Sequence, residues 1–307
     1  MANITLRQLR YFESVARHGH FGHAASAVSV SQPALSVQIR ELETELGSPL
    51  FERQPRKVSL TPLGEEFLGR VRDILRSVDE LSDLARAARG GVAGRLNIGI
   101  IPTIAPYMLP TLIGNLGRSY PGLDLHIRET LTPRLVRELE DGALDAAILA
   151  LPVNEPSFKE VPLFDESFVL VRPEAEADQP VPDGETLRRM RLLLLEEGHC
   201  FRDQALAFCN VQSSLPRDGL DGSSLSTLVQ MVGAGIGVTL IPEMAVPVET
   251  RSAAVSVAQF NTPRPRRTVG MIWRRSNPMG PQLHDIAALV RTSAEDMRTA
   301  AHSTKVS

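Results

Sequence analysis

Only two of the 307 residues are cysteine, Cys200 and Cys209, nine positions apart in "GHCFRDQALAFC". So few thiols exclude the dense disulfide framework of a small secreted scaffold. The four close-spaced tetrahedral ligands of a structural zinc site are also missing, since His199 beside Cys200 is not a site by itself. No apolar run approaches the ~20 residues that cross a bilayer. The start, "MANITLRQLRYFESV", lacks the unbroken apolar core of a secretory signal, so a cytoplasmic protein with reduced thiols is expected. Lysine is nearly absent (Lys57, Lys159 and Lys305), and arginine carries most of the positive charge, a bias of composition rather than of function. The net charge of −3 excludes a uniformly basic nucleic-acid coat but permits one local basic surface. Internal repeats and low-complexity segments are absent too.

What is present is 43% hydrophobic and 22% charged, the make-up of an ordinary globular chain long enough for two or three domains. Residues 1–61 read as a winged helix-turn-helix. "TLRQLRYFESVARHG" has Leu6, Leu9, Tyr11, Phe12, Val15 and Ala16 at helical spacing. "FGHAASAVSV" is a small-residue helix. "SQPALSVQIRELETELG" has Ser31 as N-cap, Pro33 in the first turn, an inward stripe of Leu35, Ile39, Leu42 and Leu46, and Gly47 as stop. "PLFERQPRKVSLTPLG" reads as a hairpin with Arg53, Arg56 and Lys57 at its tip. The opposite face of the third helix carries Gln32, Pro33, Ser36 and Arg40. Gln and Ser suit base edges, while Arg and Ser suit phosphates, which makes double-stranded DNA the expected partner. Together with Ser31, Arg53 and Arg56, these are the candidate DNA-binding residues.

Residues 62–90 read as one linker helix. Phe67, Val71, Ile74, Val78, Leu81 and Ala85 alternate at spacings of four and three, a short heptad seam for a dimer partner or for the helix's own domain. From residue 91 to 307, strand-like runs ("GRLNIGII", "LDLHIRE", "LDAAILAL", "FVLVRP", "RLLLLEE", "GVTLIP") alternate with helical ones. An α/β class with a largely parallel sheet is expected, folded as two lobes about a cleft, with "PRRTVGMIWRR" returning to the first half.

Two readings of the cysteines stand at this point. Free cysteine is most often a small buried hydrophobe. Against that, His199 and Arg202 are cationic neighbours of the kind that favour a thiolate, Gly198 lets the chain turn into a helix at Cys200, and Arg267 is a further candidate cation.

"AASAVSVSQPALSVQIRELETELGSPLFER", followed by "VSLTPLGEEFL", resembles the DNA-binding domain of LysR-type transcriptional regulators. The resemblance extends over essentially the whole chain. "IPTIAPYMLP", "GHCFRDQALAFC" and "RPRRTVGMIW" narrow it to the hydrogen-peroxide-sensing OxyR branch of that family. It implies a winged helix-turn-helix, a linker helix and a two-lobed, periplasmic-binding-protein-like regulatory domain. It implies a regulator and not an enzyme, with no cofactor and no metal, controlling oxidative-stress genes. The implied switch is a reversible disulfide between Cys200, the peroxide-reactive thiol, and Cys209, the resolving one. His199, Arg202, Thr103, Thr132 and Arg267 fall on the family's supporting positions. The implied partners are DNA, hydrogen peroxide, RNA polymerase, a thiol reductant such as a glutaredoxin or thioredoxin, and other copies in a homotetramer. Gly219 departs from the branch, whose members often carry histidine there. On a helix, nine residues rise about 13.5 Å, whereas a disulfide needs Cα atoms within about 7 Å; helix and disulfide therefore exclude each other. Rival expectations are a LysR-type regulator that answers to a small ligand in the cleft, a two-cysteine peroxidase, and a solute-binding protein.

Overall fold

Thr5 starts the first helix, α1 (Leu6–His18), through a reciprocal cap: its hydroxyl accepts from Gln8 N–H, and the Gln8 side chain accepts from Thr5 N–H at 3.0 Å. Gly19 stops it in the left-handed region at φ 61°. The Nδ1 of His20 caps α2 (Phe21–Ala27). Ser31 caps α3 (Gln32–Leu46), where Pro33 occupies the first turn and Gly47 ends the helix at φ 69°. Strands β1 (Phe51–Gln54) and β2 (Lys57–Leu60) form an antiparallel hairpin, and α4 (Pro62–Ala87) follows. The computed structural model describes residues 4–54, 57–87, 94–208 and 221–304. It divides into two units, Met1–Ala85 and Arg86–Ser307, each described by itself.

In the first unit Leu9, Phe12, Val15, Leu35, Ile39, Leu42, Leu50 and Val71 are buried in one core. Each such side chain contributes about 1.5–3 kcal/mol over its exposed state. Phe12 lies 5.2 Å from the rings of both Phe51 and Phe67, tying α1 to the hairpin and to α4. Glu43 Oε1 accepts from Leu50 N–H at 2.9 Å and Phe51 N–H at 3.2 Å, which fixes α3 against β1. The expected inward stripe of α3 is this core's centre, whereas Leu6 is exposed. The stripe of α4 divides. Val71, with Phe67, Leu68 and Leu75, packs on its own unit, while Ile74 and Leu81 are 46% and 65% exposed. At 100° per residue, positions 67, 71, 74 and 81 fall within about 80° of one another, so the stripe keeps one face and the first unit's core leaves Ile74 and Leu81 on it uncovered.

In the second unit the elements run β3 (Gly94–Ile100), α5 (Ala105–Ser119), β4 (Leu123–Glu129), α6 (Thr132–Glu140), β5 (Ala146–Leu151), β6 (Phe158–Pro173), α7 (Gly184–Arg189), β7 (Leu192–Leu195) and α8 (Cys200–Phe208). Then come β8 (Asp221–Gly222), α9 (Leu225–Gly233), β9 (Val238–Pro242), α10 (Val246–Glu249), β10 (Val255–Gln259), β11 (Arg266–Arg274) and α11 (Gly280–Thr304). The strand order is β4-β3-β5-β11-β6-β9-β7-β8, with β10 also on β6. A largely parallel sheet is corrected here. Pairing is parallel at the two ends (β4-β3-β5 and β9-β7-β8) and antiparallel through β11, β6, β9 and β10. The reason is β6. Its first half gives Phe158, Val161 and Leu163 to one core, and its second half gives Phe168 to Val171 to another. One strand thus carries the chain between two lobes, and β11 brings it back alongside.

Gly237 marks a close approach in the second lobe. A methyl there would overlap the Arg191 carbonyl oxygen, which is held by Val238 N–H at 3.0 Å. Gly237→Ala is therefore expected to destabilise by about 1–3 kcal/mol, as overpacking does. A lowered urea midpoint with unchanged slope is the reading to look for.

Candidate functional site

Because β3, β4 and β5 are parallel, their carboxyl ends share one edge, the usual place for ligand-binding loops in such sheets. Thr103 lies in the turn after β3 and is 2% exposed. Thr132 opens α6 just after β4. Strand β11 runs antiparallel to β5, with Thr268 opposite Leu151, so its first residues reach the same edge. Arg267 is among them, and Glu166 of β6 is its cross-strand partner.

Arg267, Glu166 and Thr103 form one buried cluster. Arg267 donates through Nε to Glu166 Oε2 at 2.8 Å, and its Nη2 lies 2.8 Å from the same oxygen. Its Nη1 donates to Thr103 Oγ1 at 2.8 Å and its Nη2 to the Thr103 carbonyl at 3.0 Å. The second carboxylate oxygen of Glu166 accepts from Met244 N–H at 3.0 Å. The guanidinium carbon sits 5.8 Å from the Phe201 ring centroid, and Phe201 meets Phe168 edge-on at 4.7 Å. Nearby, Tyr107 of α5 donates to Glu249 of α10 at 2.6 Å, and burial with that carboxylate pushes the phenol's pKa up.

Cys200 is a free, half-buried thiol at the start of α8 and packs against the first-lobe core, whereas Phe201 packs into the second. Gly198, at φ 93°, turns the chain into this helix. A methyl at Gly198 would lie 3.0 Å from Leu131 Cδ1, so this loop presses on the beginning of α6. Among the described residues, the buried Oγ1 of Thr132 and the buried Oε1 of Gln204 have no hydrogen-bond partner. A buried polar atom without a partner is costly and points to a missing ligand or water. Gln204 escaped the sequence reading, although its spacing of four from Cys200 puts both on one helix face.

Two of the expected cationic neighbours take other roles. His199 is 9% exposed, and burial lowers its pKa against the opposing pull of Glu196. A neutral imidazole accepts a proton; it does not supply a positive charge. Arg202 donates to the Leu195 carbonyl at 2.6 Å and pairs with Asp221 at 2.8 Å, so its charge is matched at β8. Cys209 and Gly219 lie outside the described residues.

In the first unit Gln32, Pro33 and Arg40 of α3 and its cap Ser31 are exposed, and Ser36 of α3 is half-buried. Ser31 also accepts from Ala34 N–H at 3.4 Å. Val37, 46% exposed among them, was not anticipated; an apolar side chain there suits a thymine methyl. The side chain of Arg53 and all of Arg56 lie outside the described residues.

The lowered pKa of His199 sets a pH dependence. The unfolded chain binds the proton near the ordinary value of about 6.5 and the folded one only at lower pH, so stability rises with pH in that window. The contribution is complete above the unfolded value and is lost as pH falls toward the folded one. His199→Asn should flatten the wild-type decline in melting temperature between about pH 7 and 5. An equally steep decline in the variant would remove His199 as its cause.

The model of the bacterial regulatory helix-turn-helix protein, lysR family, matches residues 6–65, and the LysR substrate binding domain matches residues 89–295. The chain is 42% identical to a probable hydrogen peroxide-inducible genes activator of Streptomyces viridosporus over 95% of both chains. It is 40% identical to the DNA-binding transcriptional dual regulator OxyR of Escherichia coli over 94% of this chain and 95% of that one. Full-length OxyR from Pseudomonas aeruginosa, with a cysteine replaced by aspartate, superposes with a TM-score of 0.76 at 39% identity, covering 95% of this chain and 96% of that one. A hydrogen-peroxide-bound cysteine-to-serine mutant of Corynebacterium glutamicum OxyR does so at 0.67 and 36%, covering 98% and 96%. Both halves being matched, the chain belongs to the LysR family of bacterial transcriptional regulators, DNA-binding proteins and not enzymes.

Proposed function

We propose that the protein is a hydrogen-peroxide-sensing transcriptional regulator whose switch is a disulfide between Cys200 and Cys209. The observation that carries this is the Arg267 guanidinium, which lies on Phe201 beside the thiol and donates to Thr103 Oγ1. A threonine hydroxyl that accepts this bond has its own hydrogen free for another acceptor. Thr103 is then a donor toward a peroxide oxygen. The Thr132 and Gln204 oxygens, buried without partners, are acceptors for the peroxide hydrogens. The Cys200 thiolate attacks one oxygen, the O–O bond breaks, and hydroxide leaves, stabilised by the donor; the sulfur becomes a sulfenic acid. His199, next to Cys200 in the chain and held neutral by burial, is the base this reading assigns to the thiol proton. The Cys209 thiol then displaces water from the sulfenic acid and closes the disulfide, which a thiol reductant later returns to two thiols.

Helix α8 separates Cys200 from Phe208 by about 12 Å of rise. One further residue spans about 3.8 Å, so a disulfide to the residue after Phe208 needs the helix to open. Opening it withdraws Phe201 from Phe168 and Arg267 and changes the lobe junction. The change passes to a homotetramer on DNA, assembled through seams such as the exposed Ile74 and Leu81 of α4, and alters contact with RNA polymerase. A regulator that binds DNA in this way works in the cytoplasm; no described helix is long and apolar enough to cross a membrane.

Reduced full-length protein treated with low-micromolar peroxide, quenched by alkylation and mapped by mass spectrometry should yield a Cys200–Cys209 disulfide. Cys200→Ser should yield none, and Thr103→Val or Thr132→Val should slow its formation by about tenfold or more, as loss of a positioned polar group does. If both thiols are alkylated unchanged, a small-ligand regulator takes the place of this reading. On the DNA side, Arg40→Ala should weaken binding across sequences and reduce the salt slope by about one, the signature of a lost phosphate contact. An unchanged slope would take Arg40 off the phosphate backbone.

A further inference from the structure

We infer that Glu166 is a positioning residue for the peroxide reaction, acting through Arg267 on Thr103; the inference rests on the peroxide-sensing function proposed above. The carboxylate occupies one edge of the guanidinium, accepting from Nε and lying equally close to Nη2. That leaves Nη1 as the group that meets Thr103 Oγ1. A guanidinium free to turn about its stem presents any edge; one gripped at Nε and Nη2 presents a single direction. The grip is itself anchored, since Met244 N–H fixes the other carboxylate oxygen and both side chains are nearly inaccessible to water.

Glu166 also sets the kind of influence Arg267 exerts. The side chains are 0% and 5% exposed, so the pair is a buried neutral unit with no free cation. Arg267 then delivers one aimed N–H to the Thr103 hydroxyl instead of a diffuse positive field. Through it, Thr103 is committed as a donor at the place where negative charge develops on the departing oxygen. The sequence distance between Glu166 and the two residues it serves, Arg267 and Thr103, hides this role: the pairing of β6 with β11 brings it to Arg267.

The test uses full-length protein and two rates at Cys200, disulfide formation with peroxide and alkylation by iodoacetamide, which needs no donor for a leaving oxygen. Glu166→Gln keeps the shape and removes the charge. The peroxide rate should fall about 10- to 100-fold, the range for losing a group that orients a reacting one, while alkylation holds at the wild-type rate. In a Thr103→Val background the same substitution should add no further slowing, because both changes cut one chain of contacts. A wild-type peroxide rate in Glu166→Gln, equal slowing of both reagents, or full additivity with Thr103→Val would overturn the inference. If Glu166→Gln does not fold, Glu166→Asp, which keeps the charge and withdraws it by one methylene, is judged by the same two rates. A wild-type protein inert to peroxide would instead remove the function on which the inference rests.

Discussion

A guanidinium cut off from water needs fixed anions and acceptors on every side, and Arg267 finds them on separate elements. Glu166 comes from β6, Thr103 from the turn after β3, and Arg267 itself from the first residues of β11. Removing one member leaves a charge or an acceptor stranded, at a cost of about 3–5 kcal/mol for a buried pair. The requirement therefore fixes the register of β6 against β11 and the depth of the Thr103 turn together. It reaches the second lobe as well, because Met244 N–H belongs to that lobe and holds Glu166. The placement of Thr103 and Glu166, and of the guanidinium against Phe201, follows from how one charge is buried.

The lobes meet at α8 in an unusual way. Cys200 and Phe201 are adjacent in the chain, yet the first packs on one lobe's core and the second in the other's. A helix placed so has little apolar surface to itself, and its position depends on contacts to both lobes. Phe201 is held by Phe168 and the guanidinium, and Arg202 by the Leu195 carbonyl and Asp221. In the proposed reaction a covalent bond of the sulfur competes with all of these. A sulfur–sulfur bond outweighs a few such contacts, each worth about 1–3 kcal/mol, so the chemistry can drive the change and reduction can reverse it.

Much of the first unit was legible because its signals are local. Ser31, Pro33 and Gly47 bound α3, and Leu35, Ile39 and Leu42 mark its inner face within one span of chain. Gly198 and the run after Cys200 similarly announced α8. The mixed sheet was not legible, since a 16-residue β6 shared by two cores reads locally as separate apolar runs. Nor was the true state of the expected cations. Arg202 and Arg267 looked like free positive charges near a thiol, but Asp221 and Glu166 that match them lie 19 and 101 positions away. Burial of His199, which keeps it neutral, is likewise a property of packing alone.

That electrostatic outcome bears on what the site accepts. Among the described residues of the candidate site, Arg202 and Arg267 are each matched by a carboxylate and His199 is held neutral by burial, so none of the three offers a free positive charge to an anion. A carboxylate ligand, the guest expected of a free guanidinium, would bring a net charge to described cations that already have their partners. Hydrogen peroxide carries no charge and has two donors and two acceptors in the space of four atoms. In the proposed site the Thr103 hydroxyl is the donor, and the Thr132 and Gln204 oxygens, buried without partners, are the acceptors. In the proposed reaction charge appears only as the O–O bond breaks, and Thr103, oriented by Arg267, is the donor that meets it. A neutral site with pre-set polarity favours the transition state over any resting anion, which is how a LysR-type scaffold can answer to a molecule as small and featureless as peroxide.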